Sequence, residues 1–368
     1  MLVAIAIKIE VVAVNKVFRH LLTVVAIAMV AVFSFVIAPG TARAAGTGAI
    51  TVGGTVATRY DAYQLFSATV ADDDDVDQKV ATDVTWANDA IRQAVLPVLH
   101  DAGLDSTVST AQVAAEWMNA DGHMTTALTA KLARAICKVG VPSVTLNAGT
   151  TAELPCGYWL IVADDDAISQ NEAGTAPIMA LVGGAAVTVK PKAATPKVSK
   201  HVLEDSTAAW GKAADAAVAD DLYWRLSATV PAGLTAYDTY AVRFVDTMSA
   251  GLDSSKVAAS MRVYVAAGAD GGFDAVSAGR DGRVGAEPAK HWTDITAQCA
   301  TKVAADGKTF TVRTGDLIDA LGGADAFTAG ARVVAVYNAP LGANCNRGAT
   351  KGNPNEVYLR YPRSPLAD

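Results

Sequence analysis

Apolar and polar positions follow one rhythm in the first half of the chain and another in the second. Residues 60–70 alternate as a half-buried strand does, and the acidic run Asp72–Asp75 ends them. Residues 86–100, 110–120 and 125–139 carry apolar side chains three and four apart, the spacing of one helix face. Strand character returns at 158–163 and 178–189. The acidic run with Asp77 lacks the Gly and the terminal Glu of a calcium-binding EF-hand loop, so it reads as a solvated loop. Residues 45–192 therefore predict a mixed α/β domain.

Residues 190–197, Lys-Pro-Lys-Ala-Ala-Thr-Pro-Lys, predict an extended joint, because two prolines hold the backbone out of the helical region. Beyond it, residues 193–368 predict a domain that is nearly all β. Short alternating or β-branched runs at 198–203, 222–230, 240–246, 261–266, 310–312, 333–337 and 357–361 are separated by Gly, Asp and Pro clusters. That spacing predicts an immunoglobulin-like antiparallel β-sandwich, with a helical turn or two at 316–321. The chain as a whole is expected to be mainly β.

The N-terminus departs from both rhythms. Lys16, Arg19 and His20 precede an apolar run over 21–38, Pro39 and Gly40 break it, and Ala42-Arg43-Ala44 offers a small-x-small cleavage site. Residues 1–44 thus predict an export signal rather than a retained anchor. They hold four Lys/Arg against one Glu, so their removal takes the net charge from -7 to -10. An acidic surface argues against nucleic acid as a partner and suits an extracellular location. Cys137, Cys156, Cys299 and Cys345 remain. An even count in an exported chain predicts disulfides, and the spacing favours Cys137–Cys156 and Cys299–Cys345 among the three possible pairings.

Familiar enzyme signatures are missing. There is no G-x-S-x-G, no H-E-x-x-H, no Walker A loop and no G-x-G-x-x-G, and no cysteine or histidine spacing suits a metal. No cofactor is expected. The unusual residue is a lysine. In Val198-Ser199-Lys200-His201-Val202 the alternation puts Lys200 on one face with two valines. A buried lysine loses hydration, its pKa falls, and its neutral amine becomes a nucleophile. Asp246 shares a strand face with Val242 and Phe244, which predicts a carboxyl of raised pKa; Asp238 has the same parity. Asn355 shares a face with Val357, Leu359 and Tyr361, and Asn353 is a second amide nearby. Amine, carboxyl and carboxamide together permit one reaction, in which Lys200 displaces ammonia from Asn355 with Asp246 as the proton shuttle. That is a single-turnover self-modification, not enzymatic turnover.

Several ordered motifs resemble the backbone (major) pilins of sortase-assembled Gram-positive pili. They are 157–162, 176–184 and 187–192 in the first domain, and 196–200, 244–248 and 352–357 in the second. The resemblance implies a structural shaft subunit, exported to the cell surface or wall, with other pilin subunits and a pilus-specific sortase as partners. It also implies that the Lys–Asn pair Lys200 and Asn355 forms an isopeptide bond aided by Asp246, with Asp238 as the alternative acid. The family's pilin motif, V-x-V-Y-P-K, maps to 187–192; Lys190 replaces the tyrosine, and Lys192 is the implied intersubunit nucleophile. Chains of this family continue into a further domain and an L-P-x-T-G sorting signal. This one ends at Pro365-Leu366-Ala367-Asp368, which implies a truncated form able to accept a partner but not to be activated itself. The alternative expectation is an adhesive Ig-like module that binds a host receptor.

Overall fold

Seven consecutive buried residues, Gly157–Ala163, organise the N-terminal half of the molecule. The computed structural model describes residues 46–54, 56–73, 78–169, 172–192, 195–232, 234–268, 292–347 and 352–366, with 3–6 and 36–37 of the leader. Most of the leader's apolar run, its cleavage site, residues 74–77 and His291 lie outside the described residues. By packing, the chain divides into two units. Among the described residues past the leader, one holds 46–192, Thr235–Asp238 and 363–366, and the other holds Thr195–Leu234 and Thr239–Pro362.

The first unit contains β1 (Thr47–Val52), β2 (Arg59–Asp73), β3 (Gln78–Trp86), α1 (Asp89–Asp101), α2 (Ala111–Asn119) and α3 (Thr126–Val139). It continues with β4 (Val144–Asn147), β5 (Thr151–Pro155), β6 (Gly157–Ala163), β7 (Ile178–Val182) and β8 (Val187–Val189). The main sheet runs β3-β2-β6-β7, with β4 also on β2, and a second sheet runs β8-β1-β5. The alternation of β6 feeds two cores. Tyr158, Leu160 and Val162 join the helices, while Trp159, Ile161 and Ala163 join Ile50, Val52 and Val189 of the second sheet. A strand covered on both faces reads as one continuous apolar run.

Local chemistry sets the helix ends. Asn88 accepts from the Ile91 N–H and Thr125 from the Leu128 N–H. Gly140 closes α3 in the left-handed region at φ 66°. The run at 178–189 differs from the single strand its composition suggests. Gly183 and Gly184, at φ 129° and 61°, split it into β7 and β8. Gly157, at φ 139°, lies where β2 bulges; a Cβ there would sit 2.0 Å from the Phe66 carbonyl oxygen.

The second unit is a two-sheet antiparallel sandwich. Its strands are β9 (Val198–Glu204), β10 (Ala209–Gly211), β11 (Ala213–Ala216), β12 (Tyr223–Thr229), β13 (Arg243–Met248), β14 (Arg262–Ala266) and β15 (Thr293–Asp294). The remainder are β16 (Ala300–Val303), β17 (Thr309–Arg313), β18 (Arg332–Asn338) and β19 (Asn355–Arg360). Short helices α4 (Val257–Ser260) and α5 (Leu317–Ala320) interrupt them, and Asp316 caps α5 by accepting from the Ile318 N–H. One sheet has the order β10-β9-β12-β18-β14-β15 and the other β16-β17-β13-β19. The unit's first long strand and its last strand therefore lie in different sheets. Buried inner faces, with Trp224, Leu226, Phe244, Phe310, Val333 and Tyr337, make up the core between them.

Replacing Gly157 with Ala should cost the first unit about 2 kcal/mol or more, since both the backbone conformation and the contact with Phe66 are lost to a Cβ. Chemical denaturation followed by fluorescence of the first unit's tryptophans would check this; a midpoint equal to wild type would show that the bulge adapts.

Candidate functional site: a buried amine, carboxyl and carboxamide

Four strands deliver four polar side chains to the middle of the sandwich. Lys200 comes from β9 and Tyr337 from β18, both in the six-stranded sheet, while Asp246 comes from β13 and Asn355 from β19, neighbours in the other sheet. All four are fully buried. The register explains the grouping. Asp246 pairs with Val357, and Asn355 with Met248, so Asp246 and Asn355 are diagonal neighbours on one face. Across the core, Lys200 pairs with Leu226 and Tyr337 with Trp224.

The contacts form a chain. Lys200 Nζ is hydrogen-bonded and ion-paired to Asp246 Oδ2. The Tyr337 hydroxyl donates to the same Oδ2 at 3.1 Å and accepts from Asn355 Nδ2 at 2.9 Å. Aromatic rings wall the amine: Nζ lies 5.2 Å from the Trp224 ring centroid and 5.9 Å from that of Tyr337. Phe310 packs edge-on against Tyr337 at 4.7 Å. Asp246 Oδ1 and Asn355 Oδ1 are buried with no hydrogen-bond partner. An orphaned buried oxygen is costly, and two in one cluster mark groups held for something other than stability.

Burial drives both titrations toward neutrality. Desolvation pulls the Lys200 amine down to about 8 against the opposing pull of Asp246. Desolvation also raises the Asp246 carboxyl, against Lys200 and the Tyr337 hydrogen bond. Burial raises the Tyr337 phenol, with Asp246 adding to the effect, so the hydroxyl keeps its proton. The low-dielectric setting thus weakens both charges and lowers the cost of converting the ion pair to a neutral amine beside a neutral acid, the protonation state needed for attack on a carboxamide.

The remaining sequence candidates lie elsewhere. Asp238 is an exposed residue outside the strands, so the alternative acid has no access to a buried amine. Asn353 is buried, but its side chain accepts from the Asn346 N–H and donates to the Asn346 carbonyl, a closed structural pair. Lys190 and Lys192 are both exposed, flanking Pro191 after β8. The disulfide expectation is corrected: Cys137, Cys156, Cys299 and Cys345 are all free. Cys137, near the end of α3, contacts the Tyr63 hydroxyl, while Cys156 is buried beside Gly46 and Gly183, at the sheet. Cys299 bonds the Ile295 carbonyl, and Cys345 lies against Gly251. Sequence spacing within each half did not translate into a bond. Among the described residues no three His, Cys, Asp or Glu gather as metal ligands, and no helix is long and apolar enough to cross a membrane.

Tyr337 is the participant that sequence reasoning missed. It ends the apolar run Val333-Val334-Ala335-Val336-Tyr337, where it reads as a core aromatic. Its parity with Val333 and Ala335 was the available signal.

A chain prevented from reacting by Asn355→Ala should show the lysine's burial in its pH dependence. Between about pH 8 and the ordinary lysine value of 10.5, the unfolded chain holds a proton that folded Lys200 has shed. Stability should therefore rise with pH across that window. Thermal melts of Asn355→Ala with and without Lys200→Met would test this; equal slopes in the two would refute the shifted amine.

No family model matches this sequence, and no curated protein matches it. Solved structures do. A backbone pilin of Streptococcus pyogenes matches at 15% identity and a TM-score of 0.49, over 89% of this chain and 60% of that one. The major pilin SpaD of Corynebacterium diphtheriae matches at 13% and 0.37, over 88% of this chain and 62% of that one. SpaA of the same organism matches at 14% and 0.38, over 88% and 64%. The chain thus spans less than two thirds of each of these proteins. The solved structures to which this chain is similar here are all major or backbone pilins.

Proposed function

We propose that this chain is a structural shaft subunit of a covalently assembled surface pilus, stiffened by a Lys200–Asn355 isopeptide bond. The observation that carries the reading is the buried Lys200–Asp246–Tyr337–Asn355 chain, whose members are costly to bury and suited to amide formation. Attack of the Lys200 amine on the Asn355 carboxamide replaces two buried polar groups with one neutral amide and releases ammonia. Asp246 is the acid and base for the step.

The bond would join β9 to β19, close to the two ends of the unit, and tie one sheet to the other. Tension entering at one end and leaving at the other would then bypass the hydrogen-bonded ladders. It would also close a loop of about 155 residues, restricting the unfolded state by roughly 5 kcal/mol on the chain-entropy model used for disulfides. Lys192 fits the second covalent role. It is exposed, follows a proline, and stands just past the anchored β8, as an amine that must reach another subunit requires. A sortase and neighbouring pilin subunits are the partners this reading needs. The chain acts on itself once and has no substrate of its own.

Intact mass and a peptide map of recombinant residues 45–368 test the first part. A deficit of one ammonia with Lys200 joined to Asn355 is expected, and full mass would reject the bond. Incubation with a pilus sortase and an activated pilin donor tests the second: Lys192→Ala should abolish conjugation while Lys190→Ala should not. Conjugation of Lys192→Ala at the wild-type level would remove Lys192 from the role.

A further inference from the structure

We infer that the Tyr337 hydroxyl is the proton relay that carries the leaving nitrogen of Asn355 out as ammonia. The inference rests on the cross-link reading above and assigns one of its steps to a residue outside the Lys–Asp–Asn set.

The argument is positional. Lys200 and Asp246 can exchange a proton directly, because Nζ and Oδ2 are hydrogen-bonded. No described hydrogen bond links Asp246 to the Asn355 side chain. The path that does exist runs through one oxygen: Tyr337 OH donates to Asp246 Oδ2 at 3.1 Å and accepts from Asn355 Nδ2 at 2.9 Å. Asn355 Nδ2 is the atom that must depart. An amide nitrogen is a poor leaving group until it is protonated, and its immediate partner is this hydroxyl. The site is fully buried, so bulk water is not at hand to deliver the proton.

The proton balance closes. The neutral Lys200 amine attacks Asn355 Cγ, and the carbonyl electrons move to Oδ1. Asp246, starting as the neutral acid, gives its proton to the phenol oxygen while the phenol gives its own to Nδ2, and the carboxylate so formed takes a proton from the nitrogen as the Nζ–Cγ bond forms. The Cγ–Nδ2 bond breaks, the carbonyl re-forms and ammonia leaves. One amine hydrogen ends on ammonia, one stays on the new amide, and Asp246 and Tyr337 return to their starting states. The neighbours hold the hydroxyl in place. Phe310 packs edge-on against the ring, and Tyr337 pairs with Trp224 across β18 and β12.

The test follows bond formation in newly made full chain. Wild type, Tyr337→Phe and a chain with fluorotyrosine at position 337 would be produced by cell-free synthesis, and the fraction with the ammonia deficit measured by intact mass over time. Tyr337→Phe keeps the ring and loses only the relay, so it should fold yet form the bond on the order of 10²-fold more slowly. Fluorotyrosine restores a hydroxyl and should restore the rate, which a packing role would not require. A Tyr337→Phe chain that cross-links at the wild-type rate would overturn the relay and leave the Lys200–Asn355 reading standing. So would a fluorotyrosine chain as slow as Tyr337→Phe. A wild-type chain that keeps its full mass would bring down both.

Discussion

An amine stripped of water on the inner face of the sandwich is the constraint around which the second unit is arranged. Lys200 has no exposed surface, and its charge has one carboxyl to answer it. A buried ion pair of this kind adds little stability beyond what well-packed apolar side chains would supply. Its neighbours nonetheless fit it closely. Trp224 and Tyr337 line it with π faces, Asp246 shares its proton, and Tyr337 links that carboxyl to an amide in the other sheet. Two carbonyl-type oxygens remain unpaired in the same cluster. The arrangement is costly as a resting state and makes sense as a reactant, since amide formation would discharge the amine and the acid together.

The two-sheet antiparallel topology makes such a cluster reachable. In an antiparallel sandwich each strand points alternate residues inward, so one polar residue per strand can meet partners from both sheets without disturbing the surface. The diagonal offset of Asp246 and Asn355 on β13 and β19 leaves both side chains facing the core from adjacent strands. Met248 and Val357 fill the positions directly opposite and are buried too. Polar chemistry is thereby embedded in an apolar frame of ordinary packing.

Alternation carried much of this information in the sequence. Lys200 between Val198 and Val202, Asp246 after Val242 and Phe244, and Asn355 before Val357 all read inward, and the structure buries each of them. The three helices were legible from their apolar spacing, which in α1 and α3 is flanked by real caps, Asn88, Thr125 and Gly140, while α2 has none. Short edge strands were not: β10, β15 and β16 are two to four residues long, too brief for periodicity to show. β1 and β5 were missed because neither has a run of apolar residues; their buried positions are completed by β6 from elsewhere in the chain. The thiols illustrate a different limit. Cys137 and Cys156 are close in sequence, but one sits on a helix and the other beside the sheet, a separation that no residue count reveals.

The strand that precedes Lys192 runs parallel to β1, not antiparallel. Val187, Thr188 and Val189 align with Ile50, Thr51 and Val52, and the Val189 carbonyl also accepts from the Gly53 N–H at 2.8 Å. A load drawn through Lys192 along the strand would therefore slide β8 lengthwise past β1. Every rung of that short ladder would resist at once, instead of parting one after another as in peeling. Val189, buried in the core, would act as a stop on the same path. Lys192 is thus exposed at its tip and moored immediately behind it, a position where an attached load would not fray the strand under a pull along it.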